Sequence, residues 1–66
     1  MSVTKILEVS SSGSSVEDAV QSGLAKVGET VQGIQGAWVN DVKVVTSGDG
    51  RVTEWRVNMR VSFVVK

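Results

Sequence analysis

The residues from Arg51 to Lys66 read RVTEWRVNMRVSFVVK, and apolar side chains fall on alternate positions: Trp55, Val57, Met59, Val61, Phe63 and Val65. Polar or charged residues stand between most of them, at Glu54, Arg56, Asn58, Arg60 and Ser62. This period of two predicts a strand with one core face. A strand of about 14 residues is more than twice the usual 5–6, so it must curve around something or extend into a neighbour. Val3 to Val9 predicts a shorter first strand, with Val3, Lys5, Leu7 and Val9 on one face and Thr4, Ile6 and Glu8 on the other. Ser10 to Ser15 then reads as a polar connection, which could equally cradle an anion at the start of the next helix.

Ser14-x-x-Glu17 and Ser15-x-x-Asp18 both fit a capping box, with the acids placed to suit the helix dipole. Val16, Val20, Leu24, Val27, Val31 and Ile34 follow at spacings of 4, 4, 3, 4 and 3, one stripe of an amphipathic helix. Gly23 borders the stripe and suits close contact with a sheet, while Gly33 and Gly36 are expected to end the helix. Ala37 to Val45 predicts a second strand whose apolar parity shifts around Asn40-Asp41, the mark of a bulge or a change of packing partner. Thr46 to Gly50 reads as a hairpin turn, because Asp-Gly supplies positive φ.

The predicted fold is α+β in the order β-α-β-β, one domain over residues 1–66, with a three-stranded antiparallel sheet around one helix. A helix covers only one sheet face, so Ile6 and Val64 would stay in water in a monomer. Sixty-six residues bury a marginal core. The chain has no Cys or His, which removes disulfides, thiolate metal sites and the commonest metal ligand. Symmetric assembly is the remaining way to complete the core.

Lys+Arg and Asp+Glu are 7 each, which disfavours nucleic acid. No apolar run approaches the ~20 residues of a membrane span, and the expectation is a soluble, cytoplasmic protein. The serines have no base at recognisable spacing and the carboxylates show no pairing, so no enzymatic activity is expected. Ligand binding is the better-supported class. Trp55 shares the parity of the core set and reads as core or oligomer interface. Trp38 falls opposite Ala37 and Val39, which are expected beneath the helix, so a neighbouring subunit or a planar ligand should cover it. Lys43, Arg51, Arg56 and Arg60 form either a basic strand face toward phosphates or a solvated face with intersubunit ion pairs to Glu8 and Glu54.

KILEV in the first strand, VEDAVQSGLAKVGETV in the helix and WRVNMRVSF in the last strand resemble the dodecin family across nearly the whole chain. The resemblance implies a hollow homododecamer built from trimers. It also implies flavins, such as FMN or riboflavin, bound in pairs between subunits. A family Trp after the helix stacks on the ring, and a Gln on the last strand bonds its edge. Ungapped alignment puts Gly36 at the Trp position, with Trp38 two residues later; a two-residue insertion would instead bring Trp38 there. Arg56 matches the Gln position and can donate but not accept. Lys43 matches a basic position that meets the FMN phosphate in some members. Gly36, Trp38, Lys43 and Arg56 are therefore the candidate site. The alternative implied by the resemblance is a flavin-free cage, structural or calcium-associated, for which Ser47-Gly48-Asp49-Gly50 supplies only one acid.

Overall fold

The computed structural model describes residues 3–65 as β1 (Val3–Gly13), α1 (Val16–Gly28), β2 (Ile34–Thr46) and β3 (Val52–Val65). The alternating C-terminal run is the central strand of an antiparallel sheet in the order β1-β3-β2. Its inward set makes the core: Val57 and Met59 are 1% exposed and Val61 is 0%. Trp55 and Phe63 are half-buried, and Val65 is exposed. Arg51 belongs to the turn, and Lys66 lies outside the described residues.

Ser10–Gly13, expected as a connection, continues β1. Serine and glycine have weak strand preference, but backbone pairing with β3 overrides it: Ser10 faces Asn58, Ser12 faces Arg56 and Gly13 faces Trp55. Gly13 is needed where β1 turns into the helix, because a Cβ there would lie 2.7 Å from the Ala19 backbone nitrogen. Ser15 is the N-cap and accepts from the Asp18 N–H at 3.0 Å, while the Asp18 carboxylate accepts from the Ser14 N–H at 2.9 Å.

The helix is shorter than its apolar stripe. It ends at Gly28, and Val31 and Ile34 leave the helical path. Bonds from the Thr30 and Val31 N–H groups to the Val27 carbonyl close the last turn. Gly33 then takes φ +80, and its carbonyl accepts from the Val64 N–H at 3.0 Å. That cross-sheet bond competes successfully with further helix. Ile34 joins the inward set by pairing with Phe63 instead of extending α1. Gly36 accordingly lies within β2, not at a helix end.

At 13 residues α1 is about 20 Å long, whereas the 14 residues of β3 span about 46 Å. The helix packs chiefly on β1 and β3. Val39, Val42 and Val44, on the helix-side face of β2, are 43%, 45% and 39% exposed, so Val39 is not covered as expected. Ile6 is 51% exposed on the opposite face, whereas Val64 is half-buried. Ser62, also on that face, is buried between Ile6 and Gly36 and donates to the Gly36 carbonyl at 3.3 Å.

Candidate functional site

The sheet face turned away from α1 carries Gly36, Trp38, Lys43 and Arg56. A bulge at Asn40 makes this possible. Val39 pairs with Met59 on the helix side, yet Asp41 pairs with Asn58 on the other, so one residue is skipped. Without that step Lys43 would point toward the helix. With it, Lys43 stands opposite Arg56 and on the same face as Trp38.

Two like charges opposite each other repel. Arg56 turns instead along its own strand, and its Nε donates to the Glu54 carboxylate at 2.6 Å. Glu54, one of the two acids offered as ion-pair partners for the basic strand face, thus pairs with Arg56 within the chain. Lys43 and Arg56 border a groove of about 380 Å³ together with Ser10, Ser12 and Asn58. Asn58 is held from both sides: its Oδ1 accepts from the Ser10 hydroxyl at 2.5 Å, and its Nδ2 donates to Asp41 Oδ1 at 2.8 Å. Hydroxyls and two cations around an open groove can hold an anionic oxygen group.

Trp38 lies outside this groove, opposite Arg60. The residue is 57% exposed, and the Arg60 Cζ sits 5.9 Å from its ring centroid. Arg56 is four residues from Arg60 along β3, about 13 Å away. One chain therefore brings Lys43 and Arg56 together but keeps Trp38 apart from them. Gly36, opposite Ser62, is exposed, and a Cβ there would meet nothing within 4 Å.

The dodecin family model matches residues 3–66. The chain belongs to the dodecin family. Solved dodecins share the fold. A Thermus thermophilus dodecin crystallised as an arginine-to-alanine mutant is 24% identical with a TM-score of 0.91, covering 100% of this chain and 97% of that one. Its tryptophan-to-phenylalanine mutant gives the same identity and TM-score, with 100% and 98% covered. The dodecin from Streptomyces davaonensis is 20% identical with a TM-score of 0.90, covering 98% and 96%. The comparison with curated proteins gives no match.

The residues that sequence reasoning missed are Ser10, Ser12 and Asn58 in the groove, and Arg60 as the partner of Trp38. The serines were hidden by low complexity, although extending the alternation of β1 would have placed Ser10 and Ser12 on the Glu8 face. The Trp38–Arg60 pairing depends on strand register, which has no local signal.

Proposed function

We propose that this chain is the subunit of a dodecin cage, a homododecamer built from trimers, that binds and sequesters FMN, riboflavin or a related planar molecule. The observation that carries this reading is Trp38, an indole more than half exposed on the face that also bears Lys43 and Arg56. A bare Trp invites a stacking partner. The groove beside Lys43 suits a phosphate, with Ser10 and Ser12 hydroxyls as further donors. Arg56 serves as the edge donor once it releases Glu54. Because Trp38 and Arg56 are about 13 Å apart in one chain, the ring sits where this face meets a second subunit. On the helix-side face, a further neighbour covers the exposed valines of β2. Bound flavin supplies the colour and photochemistry. The protein groups make and break no bonds, and they act by burying the ring from light and oxygen. No helix among the described residues is long and apolar enough to cross a membrane, and the cytoplasm is the proposed site of action.

The second reading is a flavin-free cage, favoured by the Arg56–Glu54 pair and by the bare Gly36. Among the described residues no three His, Cys, Asp or Glu side chains converge, which gives its calcium version no cluster. A fluorescence titration of FMN and riboflavin, on protein sized by light scattering, decides. Twelve chains of 7.0 kDa give a particle of about 84 kDa. Quenching that saturates near one flavin per subunit on that particle supports the flavin cage. A particle of that size without quenching supports the second reading, and a monomer overturns both.

A further inference from the structure

We propose that Arg60 makes the exposed face of Trp38 a platform selective for planar ligands with an anionic or carbonyl-rich edge. The proposal rests on Trp38 being the stacking surface in the reading above, and it moves the decisive guanidinium from Arg56 to Arg60. The two arginines differ in what already occupies them. Arg56 is charge-compensated by Glu54 at 2.6 Å. Arg60 forms no ion pair among the described residues, although Glu8 stands opposite it on β1. Its guanidinium lies instead toward the indole at 5.9 Å, inside the ~6 Å range of a cation–π contact.

That contact is weak at an exposed site, so a stacked ring can displace or slide beneath the guanidinium at small cost. Once displaced, Arg60 stays beside the ring with its planar fork free to donate to oxygens at the ring edge. A cationic planar molecule meets the same guanidinium as a like charge. Arg56, about 13 Å along the strand, cannot reach this ring within the chain.

The test uses two planar dyes of opposite charge, pyrenesulfonate and proflavine, read by quenching of Trp38 emission in a Trp55→Phe background. The expected result is tighter binding of the anion. Arg60→Gln lowers that preference by about tenfold, and Arg60→Lys, which keeps the charge, restores much of it. Arg51→Gln, which removes a cation from the distant hairpin, leaves it in place. Equal quenching by both dyes, quenching by neither, or a preference indifferent to Arg60→Gln overturns the proposal. Failure of FMN to bind while the dye preference follows Arg60 would sink the flavin reading and leave this one standing.

Discussion

Gly23 of α1 lies directly against Ser11 of β1: a Cβ built on the glycine would sit 2.6 Å from the Ser11 hydroxyl oxygen and 2.6 Å from Met59 Cε. Ser11 cannot swing away freely, because its hydroxyl donates to the Ala19 carbonyl at 2.6 Å. The absence of one side chain therefore sets how closely the helix approaches the sheet. Gly23→Ala gains about 1 kcal/mol of helix propensity and loses about 1–3 kcal/mol to overpacking. The net expectation is a loss of about 1 kcal/mol, seen as a lower urea midpoint. A more stable variant would mean that the helix shifts without strain.

Val61 is 0% exposed at the centre of β3. Val61→Asp would bury an unpaired carboxylate, at a cost of several kcal/mol, and should abolish folding and assembly together. Circular dichroism and light scattering check this. A soluble, assembled variant contradicts the inward facing of that position.

Trp38 contributes little to the core, so Trp38→Ala should leave folding and particle size intact and abolish flavin quenching. Persistent quenching on an intact particle would transfer the stacking role elsewhere.

Arg56→Gln removes the Glu54 ion pair and restores a side chain that both donates and accepts. Flavin affinity should rise while stability changes by less than about 1 kcal/mol, the pair being solvent-exposed. Unchanged affinity in the same titration counts against Arg56 as the edge donor.

Asp49 in the β2–β3 turn accepts from the Ser47 hydroxyl and from the Arg51 N–H at 3.1 Å. These bonds, the Ser47 one foremost, hold its carboxyl below the usual carboxylate range. A lowered folded-state value stabilises the turn above the unfolded-state value, and that stability is lost as pH falls through the folded one. Asp49→Ala should therefore be less stable than the parent at neutral pH, with the difference vanishing in acid. Urea melts across pH test this, and a pH-independent difference refutes it.

Half of the candidate site was legible. The parity shift at Asn40-Asp41 announced the bulge that turns Lys43 onto the outer face, and Arg56 followed from the alternation of β3. The separation of Trp38 from both was not legible, because it depends on the register between β2 and β3, which pairs Trp38 with Arg60 and Lys43 with Arg56.

Local order is what the sequence by itself determined. The period of two in β3 decided its facing, and two overlapping capping boxes placed the helix start to within a residue, with the structure choosing Ser15. The stripe through Ile34 was equally regular, yet α1 stops at Gly28. Gly33 turns left-handed, and Val64 captures its carbonyl from across the sheet. Ser10–Gly13 became strand for a related reason, since β3 offered a backbone edge that outweighed weak local preference. The opposition of Trp38 and Arg60 likewise came only with the tertiary structure. Hydrophobic periodicity can say which way a side chain points, but only the pairing of distant strands decides what it meets.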